Sequence, residues 1–150
     1  MRAIFALIPV ALALVACQQA PKAAHVDGAW VRLPAVAGNP GAAYFILHGG
    51  PVADRLMTVT SPLAIRAEMH DMAMKGKMMS MAPIEAGLDV SAGGAVKFAP
   101  GGKHVMLFDI SPKATPGKKM PLKLSFASGA TIMAEADVVA AGGEAPSGKQ

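Results

Sequence analysis

Glycine and proline cut this chain into short pieces, which excludes a bundle of long helices. Its 150 residues include 16 Gly and 12 Pro. Gly49-Gly50-Pro51, Gly93-Gly94, Pro100-Gly101-Gly102 and Pro116-Gly117 all read as turns, because glycine accepts backbone angles closed to other residues and proline cannot donate to a ladder. The pieces between them alternate in polarity with a period of two, the period of a strand with one buried face. In Leu122-Lys123-Leu124-Ser125-Phe126 the three apolar residues share a face. Beyond a Ser128-Gly129 turn, Ile132, Ala134, Ala136 and Val138 alternate against Glu135 and Asp137. Residues 29–33, 43–48, 55–60, 65–70, 95–99 and 104–110 complete the set of strand candidates. About eight short strands separated by turns predict an all-β sandwich, with Trp30 and Tyr44 filling its core.

The N-terminus follows a different logic. Residues 3–16 are apolar at every position but Pro9, behind the single charge of Arg2. A membrane span wants about 20 such residues, so this stretch suits the apolar core of a secretory signal. It ends in Leu14-Val15-Ala16-Cys17, which resembles the bacterial lipobox. That resemblance implies a signal peptide over residues 1–16, lipidation of Cys17, and a protein anchored in the bacterial cell envelope and facing the periplasm. Each buried CH₂ of the acyl chains adds about 0.8 kcal/mol of membrane affinity. Gln18 lacks the aspartate that often retains such proteins at the inner membrane, which leans the assignment toward the outer one. The alternative is a plain signal peptide with an incidental cysteine. Residues 17–25 then read as lipidated cysteine and flexible tether, 26–139 as the folded domain, and 140–150, which lack an apolar anchor, as a disordered tail. Cys17 is the one cysteine of the chain. The domain therefore has no disulfide and no thiol for redox exchange or nucleophilic attack.

Charge excludes another class. Fourteen Lys and Arg stand against ten Asp and Glu, with a net charge of +4 and 5% aromatic residues. No basic run is present, so a nucleic-acid partner is not expected.

Methionine is the outlier. The chain holds 11, and six of them fall in Met69–Met81, the stretch MHDMAMKGKMMSM. Methionine usually fills irregular core gaps, but a core segment would not interleave it with Asp71, Lys75, Lys77 and Ser80. The stretch reads as a glycine-containing loop or hairpin rich in thioether. His70 lies inside it, and His104-Val105-Met106 follows the turn at Pro100-Gly101-Gly102. Residues two apart on a strand share a face, so His104 and Met106 emerge side by side. Thioether with imidazole selects Cu(I) over Zn, Mg or Ca. Four neutral donors, His70, Met81, His104 and Met106, suit a monovalent ion.

These residues resemble the pattern of the periplasmic copper chaperones called PCuAC, His-x10-Met-x21-His-x-Met. His70 and Met81 enclose ten residues, whereas Met81 and His104 enclose 22, one more than the pattern. The extra residue is expected in the loop near Glu85-Ala86-Gly87. Gly41-Ala42-Ala43-Tyr44, Asp54-Arg55-Leu56, Pro100-Gly101-Gly102 and His104-Val105-Met106-Leu107 are also similar to the family's phrases. The resemblance implies a cupredoxin-like (immunoglobulin-like) sandwich holding one Cu(I) at one end. It further implies delivery toward cytochrome c oxidase, either to its subunit II directly or through a thiol copper chaperone. Some members carry a His- and Met-rich C-terminal extension that binds further copper; residues 142–150 here contain neither residue, so a single site is expected.

The remaining candidates divide by parity. Met79 shares strand parity with Met81 and is a possible auxiliary ligand. Met69 alternates away from His70 and reads as core, and Met57, Met120 and Met133 read as packing residues. Met72, Met74 and Met78 read equally as a shield for the ion, a docking surface or a mobile apolar loop. His25 and His48 lack a methionine at useful spacing and are set aside. A blue-copper electron carrier needs a cysteine ligand, and the chain shows none of HExxH, a nucleophile elbow or a phosphate loop, so no enzyme is expected. The rivals are a lipid-anchored interaction module and a copper storage or resistance protein, both built on the same methionine loop.

Overall fold

A computed structural model describes residues 22–146; the lipobox and Cys17 lie outside the described residues. Among the described residues there are ten strands and no helix. They are β1 (His25–Arg32), β2 (Gly41–His48), β3 (Asp54–Thr60), β4 (Ala64–Lys75), β5 (Met78–Pro83), β6 (Leu88–Val90), β7 (Ala95–Phe98), β8 (His104–Ile110), β9 (Lys119–Phe126) and β10 (Thr131–Val139). All eight segments expected from alternation are present. The methionine stretch, read as a loop or hairpin, is a hairpin with β5 as its second arm, and the short β6 was not expected as a strand. β6 is three residues long, too short to display a period.

The strands run in the order β5-β4-β8-β2-β1-β10-β9-β3-β6, with β7 added beside β2. The pairs are antiparallel except β1 with β10, where Val31 lies opposite Val138 in parallel register. The sheet rolls over so that its inner faces meet. Val31, Phe45, Leu47, Val105 and Leu107 from one side pack with Leu56, Met120, Leu122, Leu124 and Val138 from the other. Met69, core by its alternation with His70, and Met120, expected as a packing residue, are in this cluster. Met57 and Met133 are not packing residues: they are 40% and 62% exposed, on the outward-facing positions of β3 and β10.

Trp30 and Tyr44 are buried, but not in the central cluster. Their neighbours Ala29, Val31, Ala43 and Phe45 point inward, so both aromatic rings lie on the outer face. They pack together with centroids 4.5 Å apart, and the Arg32 guanidinium sits 5.0 Å over the indole and 5.8 Å from the phenol ring. Arg32 Nε also donates to the Gly143 carbonyl at 2.9 Å, tying the chain beyond β10 to this outer layer. Burial pushes the Tyr44 hydroxyl above its ordinary pKa, against the opposing pull of Arg32. The alternation of β1 is interrupted between Asp27 and Trp30 by a bulge. Gly28 takes the positive φ of 58° there, the left-handed conformation that glycine supplies at such bulges. The extra residue brings Asp27 and Trp30, three apart, onto the same outer face.

Candidate metal centre

The outer face of β4 and β8 gathers the methionines and two of the histidines. Ala67, Met69, Val105 and Leu107 belong to or pack against the core, so strand alternation turns Glu68, His70, Met72, His104 and Met106 the other way. Register does the rest. His70 lies directly opposite His104, and Glu68 opposite Met106. The imidazole centroids are 5.8 Å apart at an interplanar angle of 30°. Both histidines are buried, at 9% and 8% exposure.

Each ring is held by one nitrogen. His104 Nδ1 donates to the Gly102 carbonyl at 2.9 Å, which leaves Nε2 of a neutral ring with its lone pair. His70 Nε2 donates to Glu68 Oε2 at 3.2 Å. His70 Nδ1 is the one buried side-chain nitrogen or oxygen among the described residues without a hydrogen-bond partner. Such orphans are rare in native proteins and call for an explanation. A lone pair kept for a metal is one. Glu68 in turn pairs with Arg66, whose guanidinium carbon lies 3.8 Å from the centre of the Phe108 ring. The hydrogen bond from His70, aided by Arg66, holds the Glu68 carboxyl below its ordinary pKa. An Arg–Glu–His chain of this kind fixes ring orientation, as carboxylates do for metal-ligating histidines generally.

The thioethers approach from both ends of the strand direction. Met106 is two residues from His104 on β8, and it lines an open groove with His104, Met72 and Tyr44. Met81 lies opposite Met72 across the β4–β5 ladder. That makes it a diagonal neighbour of His70, a separation of about 7–8 Å that long side chains can cross. Met81 is 50% exposed. Met79 lies further out, opposite Met74. The hairpin that carries them turns at Gly76, whose φ of 67° suits a two-residue connection between Lys75 and Met78. Sequence spacing alone puts His104 and Met106 on one face; the β4–β8 register is what sets His70 beside them. Spacing leaves undecided Met72, which β4 puts on the His70 face, and it passes over Glu68, whose i, i+2 relation to His70 was the available signal.

Residues 24–138 match the family described as "Putative lipoprotein LpqE-like". The chain belongs to the LpqE-like family. A relative from Leifsonia xyli subsp. xyli (strain CTCB07), "Putative lipoprotein Lxx21020", is 28% identical over 109 residues. The match covers 71% of this chain and 64% of that protein, so this LpqE-like chain spans less than two thirds of its relative's length. Among solved structures, the copper-bound PCuAC domain from PmoF2 is similar at a TM-score of 0.62 and 23% identity, covering 81% of this chain and 99% of that domain. The solution structure of apo-DR1885 from Deinococcus radiodurans aligns at a TM-score of 0.58 and 25% identity, over 92% of this chain and 95% of that one. Its Cu(I) form aligns at 0.58 over 79% of each chain. The LpqE-like chain thus has the fold of PCuAC domains, the cupredoxin-like sandwich that its sequence implies.

Proposed function

We propose that this protein is a lipid-anchored copper carrier of the cell envelope, which holds one Cu(I) through His70, His104, Met106 and Met81 and passes it to an acceptor. The observation that carries this reading is the buried, partnerless Nδ1 of His70 beside its register partner His104, on a face otherwise furnished with thioethers. Imidazole and thioether together favour Cu(I), and one solved relative is a Cu(I) form. Met72 is within reach as a substitute thioether. The exposed Met74, Met78 and Met79 form an adaptable apolar tip against which an acceptor docks.

Neutral donors on an open groove release their ion by stepwise exchange, an acceptor thiolate entering as a thioether leaves. The protein's role is to bind and deliver copper, with no bond made or broken in a substrate. Cys17 carries the lipid that keeps it at the membrane, and the acceptor is an envelope copper protein such as cytochrome c oxidase subunit II or a thiol chaperone.

A competition titration with a chromogenic Cu(I) chelator under reducing conditions tests the site. The wild type should take one Cu(I) per chain. Loss of a residue that merely orients a ligand costs about 10–100-fold in affinity, so His104→Ala should lose more than about 100-fold. An affinity left within about threefold would transfer the methionine surface to the interaction-module reading.

A further inference from the structure

The two histidines without methionine neighbours meet at the opposite end of the same outer face. His25 on β1 lies directly opposite His48 on β2, and their rings stack with centroids 4.7 Å apart and planes within 10°. Asp27, also turned outward, places Oδ2 3.3 Å from His48 Nε2 and 3.7 Å from His25 Nε2. One ligand atom from each of the three lies within 4.8 Å of the others, the single such grouping of His, Cys, Asp or Glu among the described residues.

We propose that His25, Asp27 and His48 form a second metal site, distinct from the Cu(I) site and selective for a borderline divalent cation, Cu(II) above Zn(II). Three observations carry it. His25 Nδ1 donates to the Ala23 carbonyl at 2.9 Å, so the neutral ring keeps its lone pair on Nε2, the nitrogen that faces Asp27. The two nitrogen–oxygen separations are longer than good hydrogen bonds, 2.7–3.2 Å. The 3.3 Å separation at His48 is the edge of a tetrahedron with 2.0–2.1 Å metal bonds, about 3.3 Å; the 3.7 Å at His25 is wider, and a tilt of that part-exposed ring both closes it and turns the two ring planes toward one ion. The donor set is two imidazoles and a carboxylate with no sulfur, which suits Cu(II) or Zn(II), and Cu(II) is the tighter in the Irving–Williams order. The carboxylate offsets one of the two charges, a service the all-neutral Cu(I) site does not need.

Separation keeps the two sites independent. Ala42, opposite Met106, and His48 are six residues apart on β2, about 20 Å at 3.4 Å per residue. The Trp30–Tyr44–Arg32 stack lies between them. The bulge at Gly28 has a use in this arrangement: it allows Asp27 and Trp30 to share a face that strict alternation would divide.

The test uses the whole protein with Cu(II) alone, followed by electron paramagnetic resonance, and with Zn(II) alone, followed by calorimetry. The wild type should show one Cu(II) with coupling from two imidazole nitrogens. The double variant His25→Ala/His48→Ala should lose that signal and more than about 100-fold of its Zn(II) affinity. Asp27→Asn, which leaves both rings and their stacking in place, should lose about 10–100-fold. His70→Ala/His104→Ala should keep both. The proposal is overturned if the folded His25/His48 variant retains the two-nitrogen signal, if Asp27→Asn binds Zn(II) as the wild type does, or if the signal vanishes with His70 and His104 instead. Failure of Cu(I) binding would leave this result standing, since the two readings rest on different residues.

Discussion

His70 and His104 are buried among thioethers at one end of the outer face, whereas His25 and His48 stand half in solvent beside a carboxylate at the other. Both pairs are cross-strand neighbours in direct register. Three of the four rings are oriented through one nitrogen, His70 by Glu68, His104 by Gly102 and His25 by Ala23. What differs is the third party. Met72, Met81 and Met106 surround the first pair, while Asp27 alone completes the second. If both pairs bind metal as proposed, each is a register pair of histidines on a strand surface, and the donors beside it decide which ion it takes. Thioethers make it soft and neutral, and a carboxylate makes it borderline and anionic.

Glu68 offers the sharpest attack on this contrast, because it is a carboxylate at the soft end. If the soft end is a Cu(I) site of neutral donors, Glu68 orients His70 and stays off the ion. Glu68→Gln should therefore weaken Cu(I) binding by about 10–100-fold without raising the affinity for Zn(II), measured by chelator competition and calorimetry. A large loss of Zn(II) affinity in Glu68→Gln would show that Glu68 enters the coordination shell and blur the distinction between the two ends.

A smaller effect separates the thioethers. Met106→Leu should weaken Cu(I) more than Met81→Leu in the same titration, because Met72 lies across from Met81 and can replace it. Equal losses would mean that Met72 does not substitute.

The smallest effect is on stability in acid. The carboxyl of Glu68 has its pKa lowered in the folded state, chiefly by the hydrogen bond from His70. Its contribution is fully present above the ordinary glutamate pKa and is lost as the pH falls through the lowered value. Glu68→Gln should lower stability slightly at neutral pH and flatten that acid limb in urea melts of the metal-free protein, so that variant and wild type converge as the pH falls. An unaltered limb would show that the hydrogen bond does not hold in solution.

Much of this was legible in the chain itself. Alternation located the strands because each has one face on the core, and the spacing of His104 and Met106 put their side chains together without knowledge of any partner strand. Met69 declared itself core by parity with His70. Pairing was not legible. His25 and His48 are 23 positions apart in the sequence, and nothing local announces that β1 and β2 set them side by side, so a search for methionine neighbours passed over both. Met72 was hidden for the same reason, since its value depends on the register of the β4–β5 hairpin. Trp30 and Tyr44 looked like core residues because large aromatic rings usually are. Here Arg32 and the turn at Gly143 cover them from outside.

X-ray absorption at the copper edge, on the protein loaded with one equivalent of Cu(I), tests the central claim most directly. The expected spectrum has a mixed first shell of imidazole nitrogen and thioether sulfur, with the imidazole contribution lost in His70→Ala/His104→Ala and unchanged in His25→Ala/His48→Ala. A shell without sulfur, or one whose imidazole signal disappears with His25 and His48, would contradict it.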